Sequence, residues 1–206
     1  DSDESRGLGD VYKRQISGQI TLTQVGLIQR IITALNIDHL SIVHTPATKY
    51  LSIDEDGEPP QGMYSYASVV GQLNYLTGHT RSDLGMATSQ VARYLHCPRR
   101  SHELALEHIG RYLKGTTDKG IILHPTKFDA SFKIDVYVDA AFACGWSVEH
   151  GTNPDSVKSR TGFIIEVMGC PILWVARLQK SVATSTMESE YTCLLYTSDA
   201  ADDPAS

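Results

Sequence analysis

The stretch Ile134-Asp135-Val136-Tyr137-Val138-Asp139 decides the fold class. Its apolar residues Ile134, Val136 and Val138 alternate with Asp135, Tyr137 and Asp139, the period of a β-strand with two unlike faces. Runs of the same character follow at Thr161 to Val167 and Pro171 to Arg177, and one precedes at Gly120 to Leu123. Beyond them, Ser185-Thr186-Met187-Glu188 has the form of a capping box, in which hydroxyl and carboxylate satisfy the first amides of a helix.

Upstream the period changes to three- and four-residue steps. Thr23 is placed to cap a helix carrying Leu27, Ile28, Ile31, Ile32 and Leu35. A second helix is expected from about Tyr64 to Leu76. Thr80-Arg81-Ser82-Asp83 reads as a capping box opening a third, through Leu84, Ala87, Val91 and Leu95, which Pro98 ends. Ser101 is placed to cap a fourth, with Leu104, Ala105, His108, Ile109, Tyr112 and Leu113 inward and Gly115 as its stop. Between the first two helices the pattern dissolves, and Asp54-Glu55-Asp56-Gly57-Glu58-Pro59-Pro60 reads as an exposed loop. Helices first and antiparallel strands after make the expected class α+β.

The 206 residues carry 18 Lys and Arg against 24 Asp and Glu, a net charge of −6 that argues against gripping nucleic acid by bulk charge. The two ends change that figure. Asp10-Val11-Tyr12-Lys13-Arg14-Gln15 can be encoded by GAT GTG TAT AAG AGA CAG. The reverse complement of that string, read one base out of frame, encodes Cys-Leu-Leu-Tyr-Thr-Ser, which stands at Cys193 to Ser198. An inverted repeat of coding DNA has no folding rationale and resembles a sequencing-library adapter. Residues 1–15 and 193–206 are therefore expected to be adapter-derived and without regular structure. Without them, 17 acids face 15 bases and the remainder is nearly neutral. No apolar run is long enough to span a membrane and the N-terminus lacks signal-peptide character. The expected compartment is intracellular. Cys97, Cys144, Cys170 and Cys193 show no CxxC spacing, so no zinc ribbon or disulfide framework is implied.

Acidic chemistry centres on two elements. Asp135 and Asp139 lie ~13 Å apart along one strand, too far to share a metal. A second carboxylate must come from elsewhere, and the capping-box helix offers Glu188 and Glu190. Glu188 is at the position that turns back to the cap, which leaves Glu190 free to reach Asp139. By periodicity alone, all four acids read as surface charge. Arg93, Arg99, Arg100, Arg111, Lys114 and Lys119 make the 93–119 segment locally basic, with Tyr94 and Tyr112 interleaved. Such a face either tracks a phosphate backbone or is simply solvated. His96, Cys97, His102 and His108 resemble loose zinc ligands, but His102 and His108 are six apart on a helix and do not share a face, which argues against zinc.

An ordered series of motifs adds a family. It begins with Gln19-Ile20-Thr21-Leu22-Thr23-Gln24, then Tyr66-Ala67-Ser68-Val69-Val70-Gly71-Gln72-Leu73-Asn74-Tyr75-Leu76 and Thr80-Arg81-Ser82-Asp83. Arg111-Tyr112-Leu113-Lys114-Gly115-Thr116, Tyr137-Val138-Asp139-Ala140-Ala141-Phe142-Ala143 and Lys158-Ser159-Arg160-Thr161-Gly162-Phe163 follow. Pro171-Ile172-Leu173-Trp174 and Ser185-Thr186-Met187-Glu188-Ser189-Glu190-Tyr191 complete it. The series resembles the Pol polyprotein of copia-type LTR retrotransposons, from the end of reverse transcriptase into RNase H.

The resemblance implies a mainly helical C-terminal part of reverse transcriptase over 16–125 and a truncated RNase-H-like domain over 132–192. It implies RNA-directed DNA synthesis and Mg²⁺-dependent hydrolysis of RNA in RNA–DNA hybrids, with two ions held by clustered carboxylates. Asp139 and Glu190 would be catalytic and metal-binding. Arg99 and Arg100 would contact nucleic acid, the partner being a hybrid or primer–template, with neither a membrane nor a small-molecule substrate. Departures are Ala141 for a second Asp and Ser82 for a proline. The next catalytic Asp would lie past residue 192, and Ala140 removes the second acid of a polymerase Tyr-Val-Asp-Asp hairpin. This piece is therefore expected to be inactive. The alternatives are a non-catalytic nucleic-acid-binding remnant and a dead element copy with no protein function.

Overall fold

The computed structural model describes residues 12–16, 19–124, 131–148 and 153–202, with backbone alone for 12–16 and 198–202. The chain forms two units that divide between Pro125 and Thr126, and it is α+β.

The first unit holds strands β1 (Tyr12–Ile16), β2 (Gln19–Thr23) and β3 (Ile121–Leu123), and helices α1 (Val25–Leu35), α2 (Tyr66–His79), α3 (Gly85–Ala92) and α4 (Arg100–Lys114). The apolar stripes read from sequence form its core. Ile28 and Ile31 of α1, Val70, Leu73 and Leu76 of α2, and Leu106, Ile109 and Leu113 of α4 are all essentially inaccessible. The three strands form one antiparallel sheet in the order β1-β2-β3, with Leu22 opposite Ile121. At Gly120 the backbone approaches β2 so closely that a Cβ would stand 1.9 Å from the Leu22 carbonyl oxygen.

Several helix starts differ from expectation. Gln24, not Thr23, precedes α1, and its buried side chain accepts from the Thr80 hydroxyl at 2.8 Å. Thr80-Arg81-Ser82-Asp83 is not a capping box. A 3-10 turn, Ser82–Leu84, intervenes before α3, and the Asp83 carboxylate is taken by Arg81 and by the Tyr112 hydroxyl. Ser101 does not cap α4; it donates to Asp54 at 2.6 Å, and Arg99 precedes the helix. The inward stripe of α4 is His102, Leu106, Ile109 and Leu113, whereas Leu104 is half exposed.

The second unit is a meander of β4 (Ile134–Ala141), β5 (Arg160–Val167) and β6 (Cys170–Leu178), antiparallel in that order, with helix α5 (Thr186–Asp202) packed on β4 and β5. A tight connection through Met168 and Gly169, both at positive φ, joins β5 to β6. Order extends beyond 16–192. Tyr12 to Gln15 pairs with β2 as part of β1, and α5 continues through Cys193 to Asp202. The remaining terminal positions, 1–11 and 203–206, lie outside the described residues.

Candidate functional site

Register assigns the faces of the second sheet. Directly opposed residues share a face, so Val138 with Phe163, and Ala140 with Thr161, lie on one side. Asp139 lies opposite Gly162 on the other. Helix α5 covers the first side. Gln179 donates both to the Thr161 hydroxyl at 3.1 Å and to the Ser189 carbonyl at 2.9 Å, and the Arg177 guanidinium stacks 4.7 Å from the Tyr196 ring. Ser189, Cys193 and Thr197, four residues apart, form the buried stripe of α5.

Asp139 and Glu190 are both exposed, and the structure records no hydrogen bond or ion pair between their carboxylates. The helix meets the Asp139 strand through the backbone instead. The Cys193 thiol, one turn beyond Glu190, donates to the Asp139 carbonyl oxygen at 3.3 Å. Glu188 behaves nearly as expected, but reaches one residue further back. Its carboxylate accepts from the amide and hydroxyl of Thr184, at 2.6 and 2.7 Å, while its own amide donates to Ser185. The Thr184 amide, then its hydroxyl, holds the Glu188 carboxyl below its ordinary range. Asp135 pairs with Lys133 at 2.9 Å. Among the described residues, no three His, Cys, Asp or Glu side chains gather where they could hold a metal ion.

The basic face of α4 is committed internally. The 36–62 segment runs antiparallel along the helix, and its carbonyls are met in order. Lys114 donates to Asp38 and Leu40, Arg111 to Ser41, His108 contacts Thr45, and His102 contacts Ser52. Arg99 donates to Glu55 at 2.8 Å and to Gly57. Arg100 bridges Glu103 and Glu107, at 3.0 and 2.9 Å. The buried Glu103 carboxylate receives the amides of Gln61 and Gly62, which fixes the far end of the strap. The segment has no ladder of its own, so its backbone acceptors need these donors.

Two features escaped sequence reading. One is this strap, whose signal was the three-residue spacing of His108, Arg111 and Lys114 beside a loop lacking regular structure. The other is Arg81, read only as part of a cap. It is buried, forks onto Asp83 at 2.9 and 2.8 Å, and donates to the carbonyl and hydroxyl of Thr116. Burial pushes the Asp83 carboxyl upward, but the bonds from Arg81 and Tyr112 outweigh it and leave it below its ordinary range.

Comparison with known proteins adds relatives. Over 191 residues, 88% of its length, the chain is 31% identical to the retrovirus-related Pol polyprotein from transposon TNT 1-94 of Nicotiana tabacum, covering 13% of that protein. Over 133 residues, 65% of its length, it is 37% identical to the retrovirus-related Pol polyprotein from transposon RE2 of Arabidopsis thaliana, covering 8% of it. It also shares 31% identity over 129 residues with secreted RxLR effector protein 161 of Plasmopara viticola, spanning 63% of this chain and 83% of that protein. The chain thus spans a small part of the Pol relatives. No family profile matches it, and no solved structure does.

Proposed function

We propose, from its likeness to the retrovirus-related Pol polyproteins of transposons, that the chain joins the end of a copia-type reverse transcriptase to the opening of its RNase H domain. The observation that supports this most is the second unit. An antiparallel meander is crossed by one helix, with Asp139 near the end of its first strand and Glu190 in the first turns of the helix. In that reading the parent enzyme copies RNA into DNA and hydrolyses the RNA of the hybrid. The hybrid would be recognised by its backbone shape and 2′-hydroxyl groups.

Two Mg²⁺ ions are the implied cofactor, and they would supply the attacking hydroxide and steady the leaving oxygen. The described residues do not by themselves fit such a centre, since Asp139 lies on the sheet face away from α5 and no three candidate ligands gather among them. No hydrolytic step is therefore assigned to this chain, which we take to be inactive alone. Arg99 and Arg100 would meet a primer–template only by exchanging the partners they hold here. Incubation with a labelled RNA–DNA hybrid and Mg²⁺ tests the inactivity. No turnover is expected, and turnover abolished by Asp139→Asn would overturn it.

Residues 1–15 and 193–206 are read as adapter translation. The nucleotides of the reading frame check this: codons for 10–15 and 193–198 that are not inverted complements would refute it.

A further inference from the structure

We propose that the first unit binds a small apolar monocarboxylate, in the cavity between the 46–51 stretch of the strap and helices α3 and α4. The proposal stands apart from the assignment to a polymerase or nuclease, and every residue lining the site belongs to this one unit. The cavity holds about 250 Å³, just under the roughly 300 Å³ at which pockets for drug-sized ligands begin. Leu51, Ala87, Val91, Ala105 and Ile109 make its walls largely apolar.

The polar groups choose the ligand. Gln90 lines the cavity and is 1% exposed. The Leu51 amide donates to its Oε1 at 2.6 Å, which fixes the side-chain amide and leaves Nε2 with no acceptor among the described residues. A buried donor without a partner is uncommon and costly, and an acceptor brought by a ligand would satisfy it. Lys49 stands exposed at the rim, where the described residues offer its ammonium no ion pair. Ser101 and His108 also line the cavity, but Ser101 donates to Asp54 and His108 Nε2 meets the Thr45 carbonyl. No Asp or Glu lines it. Donors from Gln90 and Lys49, with no opposing carboxylate, select an anion over a cation. The apolar walls then select a carboxylate on a hydrocarbon body, since a bare phosphate would leave them unfilled. Its carboxylate takes the Gln90 N–H and the Lys49 ammonium, and its hydrocarbon lies against Val91 and Ile109.

Hexanoate and hexanol, alike in hydrocarbon, are the probes, each titrated into the 206-residue chain while backbone amide shifts are followed by NMR. Saturable shifts centred on Ala87, Val91 and Ala105 are expected, with hexanoate bound roughly fivefold tighter than hexanol or better. Lys49→Glu should weaken hexanoate by roughly tenfold and hexanol by no more than about twofold, because only the anion feels the reversed charge. Gln90→Glu keeps an oxygen for the Leu51 amide but replaces the donor, and should weaken hexanoate by roughly tenfold or more. Ala105→Leu fills part of the cavity and should weaken both probes alike. Circular dichroism confirms that each variant keeps its fold. No saturable binding of hexanoate up to roughly 10 mM would overturn the proposal. So would shifts centred elsewhere, hexanol bound as tightly as hexanoate, or hexanoate affinity indifferent to Lys49→Glu and Gln90→Glu.

Discussion

The Cys193 thiol donates to the Asp139 carbonyl oxygen at 3.3 Å and lies 3.6 Å from that of Gly162, so the helix is seated over the β4–β5 pair by a small, fully buried side chain. Its access to solvent reports on that seating. With a thiol reagent under native conditions, exposed Cys97 should react first and Cys193 only after denaturation. Reaction of both at equal rates would mean that α5 does not pack as described.

Arg81 ties the turn before α3 to the end of α4, through Asp83 and Thr116. Arg81→Met should destabilise the first unit by about 2 to 3 kcal/mol, since it strands the acceptors that the guanidinium satisfied. Arg81→Lys should recover only part of this, because one ammonium cannot reproduce the fork. Urea denaturation of the variants measures both.

His102 is stacked on Tyr94, with ring centroids 3.9 Å apart; its Nδ1 accepts from the Arg99 amide and its Nε2 meets the Ser52 carbonyl. Both contacts together require the neutral ring with its proton on Nε2. Burial outweighs the Ser52 bond and the nearby Asp54 charge, and holds its pKa below the ordinary value of 6.5. The unfolded chain therefore binds this proton first. Its stabilising contribution is complete above about pH 6.5 and is lost as pH falls through the folded pKa. Stability measured from pH 8 to pH 5 should decline over that lower range, and His102→Gln should reduce the slope.

Gly120 cannot carry a side chain where β3 meets β2, because a Cβ there would fall 1.9 Å from the Leu22 carbonyl oxygen. Gly120→Ala should cost about 2 kcal/mol or more by forcing the strands apart. The melting temperature of the variant checks this, and no change would contradict the close approach.

The strap along α4 predicts a protease phenotype. Arg99→Ala with Arg100→Ala removes donors to Glu55 and Gly57 and the partner of Glu103 and Glu107, so limited proteolysis within 54–62 should quicken. A phosphate-tracking role would instead show as salt-dependent hybrid affinity lost in the same variant.

Element type was legible wherever burial imposed a period. Ile28, Ile31, Leu73, Leu76, Ile109 and Leu113 followed the helical repeat into one core, and Val138 and Phe163 followed the two-residue repeat onto one sheet face. Caps were less legible. Thr80, Ser101 and Asp83 each satisfied the local pattern, yet each bonded a distant partner, Gln24, Asp54 or Tyr112. The strap was legible only through its donors, His108, Arg111 and Lys114 on one side of α4, because its own carbonyls carry no side-chain signature. For the site, the sequence placed Asp139 on a strand and Glu190 on the following helix. Alternation along β4 then turned the Asp139 side chain to the face away from α5, which spacing within single elements does not reveal.

The most direct measurement is a chimera in which residues 132–192 replace the matching segment of the tobacco TNT 1-94 Pol polyprotein, assayed for Mg²⁺-dependent hydrolysis of RNA in a hybrid. The expected result is retained hydrolysis that Asp139→Asn and Glu190→Gln each abolish. A folded chimera without hydrolysis, or one indifferent to both substitutions, would contradict the assignment.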